Sequence, residues 1–256
     1  LIIQRGNTTT WSYSHSVTPP SNDQPTHWSE SLQPWESQIL SNITFHVSND
    51  SFDSRLESDT TIYCVSDGGA RPGLEAGGFG WIIATSNETL VTGQGPVTGS
   101  IVQSFRAEAM GRLSAILFLT KYYHQHQINR SLPILTYTDS KSVIDTEDQF
   151  LKHPTLFPAQ CLSPDTDIFL AIRALLAQHP NFTLRTAHVK GHQDAHTQYS
   201  ALLRPAQLNV EADALATLQL DLLQHQRSPE RYPIPYGKVS LMHETVIITS
   251  QYQNTL

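Results

Sequence analysis

Apolar and polar residues follow two different periods along this chain, and the change of period divides it into parts. Residues 1–33 have no apolar period and are rich in Ser, Thr, Pro, Asn and Gln, which is typical of a linker or disordered arm. Residues 34–46 place apolar side chains at helical spacing behind a proline: Trp35, Ile39, Leu40 and Ile43. We predict a short amphipathic helix there, packed on the next domain or on a partner, and a polar connector over residues 47–58.

From residue 59 onward, short apolar runs alternate with stretches of helical period, which indicates an α/β fold. Strands are predicted at residues 61–67, 79–85, 88–95, 133–138 and 182–189, and helices at 105–123, 141–147, 167–178 and 208–224. This order predicts a five-stranded mixed sheet flanked by helices, with a three-stranded antiparallel meander and two parallel strands. We assign the domain to residues 59–225. Residues 226–256 are interpreted as a linker, a hairpin and the truncated start of a further segment.

Four acidic residues carry the candidate chemistry. Asp67 ends the first predicted strand and Asp139 the fourth, so these two carboxylates lie side by side if the strands are neighbours. Two like charges that close need a cation between them. Glu108 is in the first turn of a predicted helix, and Asp213 lies among small and apolar residues of the last one; each alone has a simpler structural explanation. Taken together, the four acidic residues offer only oxygen ligands, which favour Mg²⁺ or Mn²⁺. Two such ions can activate a water for phosphodiester cleavage.

A histidine-containing loop is the second chemical feature. His192 follows V-K-G after the last predicted strand, where an exposed imidazole can relay protons near a metal-bound water. The spacing of His188, His192 and His196 would also suit zinc on one helix face. Gly191 interrupts any helix there and no cysteine contributes, so proton relay is favoured over zinc.

Composition limits the class of protein. Two cysteines are too few for a disulfide framework, and no apolar run is long enough to span a membrane. Six Asn-x-Ser/Thr sequons would suit secretion, but a Ser/Thr-rich chain produces them by chance, which favours the nucleus or cytoplasm. The net charge of −7 argues against nucleic-acid binding. Residues 59–225, with 11 basic and 15 acidic side chains, become neutral once the four metal-site carboxylates are set aside.

Five short motifs, in this order, resemble those of the ribonuclease H family. They are S-D-G-G at 66–69, F-R-A-E-A at 105–109, Y-T-D-S-K at 137–141, H-V-K-G-H at 188–192 and N-V-E-A-D-A-L-A at 209–216. The flanking P-W-E-S-Q-I-L and R-P-A-Q-L-N resemble the version attached to reverse transcriptases of eukaryotic retroelements. The resemblance implies a ribonuclease H-like three-layer fold and endonucleolytic cleavage of the RNA strand of an RNA–DNA hybrid, with two Mg²⁺ ions and no small-molecule cofactor.

The resemblance also implies a role for each site residue. Asp67 would bridge both metal ions, and Glu108, Asp139 and Asp213 would complete their ligands. His192 would match the family's loop histidine, which assists proton transfer and product release. The loop from His192 to Asp213 is about twice the family's usual length, which leaves the placement of the histidine for the structure to decide.

Contacts to nucleic acid are implied at Gly68, Ser104, Lys141 and Lys190. Gly68 and Ser104 fall where the family contacts the 2′-hydroxyls that distinguish RNA from DNA. Two positions depart from the family: Gly69 stands in place of Ser, and Ser104 in place of a frequent Asn. Weak hybrid binding, with a reverse transcriptase domain in the same full-length chain supplying the substrate, is consistent with these changes and with the acidic charge.

Two other functions compete with this interpretation. A catalytically inert connection or hybrid-binding domain would lack one or more of the carboxylates, and none is missing here. An integrase- or transposase-type strand transferase would lack both the early-helix Glu108 and the V-K-G-H loop, and this chain has both. The hybrid nuclease is therefore the function that the sequence favours.

Overall fold

A mixed β-sheet forms the centre of the molecule. The computed structural model describes residues 28–58, 60–71, 76–99, 102–130, 132–153, 164–180, 182–223, 234–235, 241–243 and 246–248. The strands of the sheet are β1 (Asn42–Phe45), β2 (Tyr63–Arg71), β3 (Ala76–Ala84), β4 (Thr89–Pro96), β5 (Ile134–Thr138) and β6 (Leu184–His188), in the order β1-β4-β3-β2-β5-β6. β2, β3 and β4 form an antiparallel meander, and β5 and β6 continue the sheet in parallel beside β2. The predicted fold class is confirmed, with six strands instead of five.

Helices cover both faces of this sheet, which gives three layers. They are α1 (Pro34–Ile39), α2 (Asn49–Glu57), α3 (Ser104–His126), α4 (Lys141–Lys152), α5 (Thr166–Gln178) and α6 (Arg204–Leu223). On one face, α3 packs Leu113 and Leu117 into the main hydrophobic cluster with Trp81. On the other face, α6 packs Leu208 against Ile82 in a second cluster. The longest helix is thus buried against the central strands, and its first turn lies at one end of the sheet.

The segment before the predicted domain packs into the main cluster, and its elements differ from those predicted. The helix predicted over 34–46 ends at Ile39, because the next residues form β1 on the open edge of β4. The polar connector predicted over 47–58 is wrong, since α2 occupies it and fully buries Phe52 and Leu56. These are the two apolar residues of α2, too few to show a helical period in the sequence. A domain boundary at residue 59 stays a prediction.

The remaining elements differ from prediction mainly at their ends. α4 continues to Lys152, five residues beyond its predicted end at residue 147. Ser140 is the N-cap of α4, but its side chain makes no capping hydrogen bond. The predicted C-terminal hairpin is present as β7 (Leu241–His243) and β8 (Val246–Ile248). The predicted arm up to residue 27 and the segment after Ser250 lie outside the described residues. Within the described ranges, no helix has the length and apolar character to cross a membrane.

Candidate active site

Asp67 and Asp139 lie at matching positions on neighbouring strands. β2 and β5 pair in parallel up to Val65 opposite Tyr137, so continuing this register by two residues brings Asp67 level with Asp139. The two strands are neighbours, so the condition for placing these carboxylates side by side is met. The expectation that Asp67 ends its strand is wrong, because β2 continues to Arg71 along its antiparallel partner β3. Asp67 therefore projects from the middle of a strand and is paired there with Gly80 of β3, which fixes its position more firmly than a strand end would.

Glu108 reaches the same point from the first turns of α3, and Gly68 allows it to do so. A β-carbon built on Gly68 would lie 2.2 Å from the carbonyl carbon of Ala107 and 2.4 Å from the backbone nitrogen of Glu108. Any larger residue at position 68 would push α3 away from β2. The structure thus gives Gly68 a packing role that the sequence did not indicate. Gly69 also has a neighbour, since a β-carbon there would lie 3.3 Å from Leu220 of α6.

Three carboxylates converge at this point. One carboxylate oxygen from each of Asp67, Glu108 and Asp139 lies within 4.8 Å of the other two. Asp67 is 5% exposed and Glu108 is 9% exposed, whereas Asp139 is half-buried, so the group is partly open to solvent on the Asp139 side. Among the residues that the structure describes, it is the one group of three or more acidic, His or Cys side chains close enough to share a metal ion. The zinc alternative at His188, His192 and His196 therefore finds no support in the described chain.

The electrostatics of the cluster favour a bound cation. Burial, followed by the charges of Asp139 and Asp213, raises the pKa of Asp67 to about 7, against the opposing effect of the hydrogen bond from the Gly68 N–H. Burial and, after it, the charges of Asp67 and Asp139 together raise the pKa of Glu108 to about 10. Both shifts have the sign expected when several carboxylates share a desolvated site with no positive charge between them. A divalent cation would reverse this penalty.

Asp213, on the inner face of α6, lies beside this cluster and outside the group of three. It is half-buried, and burial raises its pKa, with the charge of Asp139 adding to the shift and that of His192 opposing it. The same interactions show that His192 is a charge neighbour of Asp213 in spite of the long loop between them. The structure thus brings all five predicted catalytic residues to one end of the sheet.

Several contacts anchor the loop after β6. His188 Nε2 lies 3.0 Å from the backbone oxygen of Asp139, which ties the end of β6 to the end of β5. The loop then continues through a left-handed conformation at His192, whose φ is 50°. Further along, Leu202 is buried against Val189, and the Tyr199 hydroxyl donates a hydrogen bond to Glu211 of α6. The added length of this loop is therefore fastened to α6, which explains how His192 stays close to the carboxylates.

Asn209 is a site residue that the sequence analysis did not single out. Its Nδ2 lies 3.4 Å from Oδ2 of Asp67, and the residue is 3% exposed. The Gly68 N–H donates to the other oxygen of Asp67 at 2.6 Å, so both oxygens of this carboxylate are oriented by donors. Oδ1 of Asn209 is buried and has no hydrogen-bond partner within the described residues. The available signal was its place four residues, or one helical turn, before Asp213 on α6.

The predicted nucleic-acid contacts lie around this end of the sheet. Lys141 is exposed at the start of α4, directly after Ser140, and Lys190 is exposed in the loop before His192. Ser104 is exposed at the first position of α3, one turn before Glu108. Gly68 is buried, and its N–H is engaged by its own neighbour Asp67. Contact of these four residues with nucleic acid stays a prediction.

Comparisons with known proteins give structural similarities only. No protein-family model matches the chain, and neither does any curated protein. Similar solved structures include LC11-RNase H1 in complex with an RNA/DNA hybrid, with 16% identity over 64% of this chain and 99% of that one and a TM-score of 0.45. The RNase H domain of PFV is 20% identical; the match covers 64% of this chain and 95% of that domain, with a TM-score of 0.40. The Prototype Foamy Virus protease–reverse transcriptase is 22% identical; the match covers 64% of this chain and 21% of that protein, with a TM-score of 0.43. The case for an activity therefore rests on the site itself.

Proposed function

We propose that this chain is a divalent-metal-dependent endonuclease that hydrolyses the RNA strand of RNA–DNA hybrids. The observation that carries the proposal is the convergence of Asp67, Glu108 and Asp139, whose carboxylate oxygens lie within 4.8 Å of one another in a largely buried site. A fold gains no stability from placing three acids together in this way, because desolvation and mutual repulsion both oppose their ionisation. The five sequence motifs, in the order typical of ribonuclease H, add independent support.

The donor set fits hard divalent cations. Asp67, Glu108 and Asp139, together with Asp213, would hold two Mg²⁺ or Mn²⁺ ions. The ligands are all oxygens, which suits these ions and disfavours softer metals. When bound, the two ions supply an activated water and stabilise the leaving oxygen of the phosphodiester.

The protein's own groups orient these carboxylates and move protons. The Gly68 N–H and the Asn209 amide each donate to one oxygen of Asp67, so this carboxylate is held in one orientation before any ion arrives. His192 is exposed on its loop, and its charge lowers the pKa of the neighbouring Asp213 against the effect of burial. His192 would therefore accept a proton near the reacting phosphate and release it to solvent.

Substrate selection would come from groups around the carboxylates. Ser104 and the backbone at Gly68 would contact 2′-hydroxyls, and Lys141 and Lys190 would contact phosphates on either side of Asp139. The chain is acidic overall, with a net charge of −7. We infer that a reverse transcriptase domain in the same full-length protein, as in a retroelement, delivers the hybrid and compensates for weak binding by this segment.

The direct test of the substrate is cleavage of a hybrid in which each strand carries its own label. With Mg²⁺ we expect cuts in the RNA strand only, leaving 5′-phosphate and 3′-hydroxyl ends. Duplex DNA and double-stranded RNA of the same sequence are the matched controls and should stay intact. Equal cutting of duplex DNA, or joining of strands, would contradict the proposal, and binding of hybrid without cleavage would favour the inert alternative.

A further inference from the structure

A polar cavity lies at the opposite end of α3 from the carboxylates. It has a volume of about 810 Å³ and is formed where α3 and α5 end and the chain enters β6. His124 of α3, His179 after α5, Lys121 and Tyr123 are among its lining residues. His124 lies about 24 Å along the helix axis from Glu108, given a rise of about 1.5 Å per residue. The cavity is therefore separate from the candidate active site.

Two imidazoles lie next to each other in the lining of this cavity. The ring centroids of His124 and His179 are 5.8 Å apart, with an angle of 64° between the ring planes. Two imidazoles on one tetrahedral zinc ion, with Zn–N distances of about 2.0 Å, have ring centres about 5 Å apart. Neither imidazole makes a hydrogen bond within the described part of the chain. The separation of the two ring centres therefore exceeds that of a shared zinc ion by less than 1 Å, and the His124 side chain is exposed and has room to move.

The surroundings of the pair suit a cation that imidazole binds. Both histidines lie at helix C-termini, where the helix dipole favours positive charge. The pKa of His179 is lowered by burial first and then by the charges of His124 and Lys121, so a neutral ring is available as a ligand. The ammonium of Lys121 is already paired at 3.0 Å with the buried Glu36.

A further group in the cavity can form a hydrogen bond with a water molecule that completes the coordination of a metal ion. The hydroxyl of Tyr123 is buried and has no hydrogen-bond partner within the described residues. A buried polar atom left unpaired costs free energy, and such atoms in folded proteins usually have a partner in water or a ligand. No acidic side chain is among the described lining residues, which disfavours Mg²⁺ and Ca²⁺ here.

We propose that His124 and His179 form a second metal site, specific for Zn²⁺ or a similar imidazole-binding transition metal, that joins the C-terminal ends of α3 and α5. Imidazole nitrogen is a ligand for such ions and a poor one for Mg²⁺, so the two ends of α3 would bind different metals. Because α5 also contacts α3 at its other end, through Asp167 paired with Arg106, the ion would fasten the second end of the same helix pair.

The test uses the full chain without a histidine tag, stripped of metal and then saturated with Mg²⁺, with Zn²⁺ added by calorimetric titration. We expect one equivalent of Zn²⁺ to bind and to raise the melting temperature, because the ion binds only the folded state. His124→Gln and His179→Gln should each weaken this binding at least about tenfold, since even residues behind the ligands cost that much.

His153→Gln is the matched control, because His153 is an exposed histidine outside both sites. It should leave Zn²⁺ binding unchanged, and so should Asp139→Asn, which damages only the carboxylate site. Equal Zn²⁺ affinity in the wild type and in both cavity variants would overturn the proposal. Loss of the bound Zn²⁺ as Mg²⁺ is increased would overturn it too, because the ion would then belong to the carboxylates.

Discussion

The backbone at Gly191 lies directly against the carboxylate of Asp139. A β-carbon built on Gly191 would lie 2.2 Å from Oδ2 of Asp139, far closer than two such atoms can approach. The loop that carries His192 and the carboxylate at the end of β5 can therefore occupy their present positions only if residue 191 is glycine. This contact couples the placement of a predicted metal ligand to that of the predicted proton-transfer residue.

Gly191→Ala should therefore reduce RNA cleavage with little effect on folding. The added methyl group displaces either Asp139 or the loop, and a shift of about 1 Å at a reacting centre can cost on the order of 100-fold in rate. The measurement is kcat on a hybrid substrate, together with the thermal midpoint. Ala195→Gly, in the same loop, is the control for altered loop flexibility and should change the rate far less. Equal rates for Gly191→Ala and the wild type would contradict the account.

Asp67→Asn should stabilise the metal-free protein while abolishing cleavage. The pKa of Asp67 is raised from 3.8 to about 7 in the folded state, so between these values the folded protein holds a proton that the unfolded chain releases. Asp67 therefore contributes its full stabilisation at pH values below 3.8, the pKa in the unfolded chain. This contribution is lost as the pH rises through about 7, the pKa in the folded protein. The variant has no ionisable group at this position and should not lose this stability, which amounts to at most about 4 kcal/mol at about 1.4 kcal/mol per pKa unit.

Urea unfolding of the metal-free protein at about pH 5 and about pH 8 measures this difference. The wild type should lose stability between the two conditions, and Asp67→Asn should lose less. Mg²⁺ should restore the stability of the wild type at the higher pH and leave the variant almost unchanged. Asp145→Asn, on the exposed side of α4, should behave like the wild type. A pH dependence that is the same in all three proteins would show that Asp67 is not under this electrostatic stress.

The two predicted phosphate contacts can be tested by the salt dependence of binding. Lys141→Ala and Lys190→Ala should each weaken hybrid binding regardless of sequence and lower the slope of log K against log[salt] by about one. Lys152→Ala is the control, because Lys152 lies at the far end of α4 and is paired with Asp148. Cleavage is prevented by measuring binding without divalent metal. An unchanged slope in both variants would remove these lysines from the interface.

The strands and helices that could be predicted from the sequence are those marked within their own residues, by a periodic spacing of apolar side chains or by a signal at a strand end. The five strands of the predicted sheet and the four helices around them are all present, because each has enough apolar residues to show its period. β1 escaped prediction because the open edge of β4, and not the sequence of Asn42–Phe45, decides its conformation. α2 escaped because only Phe52 and Leu56 mark its buried face.

The residues of the candidate site also differ in whether a local sequence pattern could reveal them. Asp67 and Asp139 were predictable as neighbours because parallel strands in register carry them, whereas the role of Asn209 depends on how α6 crosses the sheet. The ion pair between Arg112 of α3 and Glu147 of α4 was likewise hidden, since charged residues on helices are usually exposed. Such pairs depend on helix packing, which no local pattern encodes.

Glu147→Gln should destabilise the protein by about 3 kcal/mol, because it leaves the charge of Arg112 buried without its partner. Arg112 and Glu147 are 2% and 6% exposed at their side chains, and Nη2 of the arginine lies 2.7 Å from the carboxylate. Unfolding by denaturant gives the free-energy difference. The adjacent Asp148→Asn breaks an exposed pair with Lys152 and should change stability by less than about 0.5 kcal/mol. Similar small effects from both variants would mean that α4 does not pack on α3 as described.

The central claim, that the buried carboxylate cluster cleaves RNA in a hybrid, is tested most directly by two aspartates six residues apart. Asp139→Asn removes an acid of the cluster, whereas Asp145→Asn removes an exposed acid of α4. The measurement is the Mg²⁺-dependent rate of RNA-strand cleavage by the full chain, with folding checked by circular dichroism. We predict that Asp145→Asn cleaves at the wild-type rate and that Asp139→Asn is inactive. Cleavage that survives Asp139→Asn, or a wild-type protein that leaves the hybrid intact, would contradict the account.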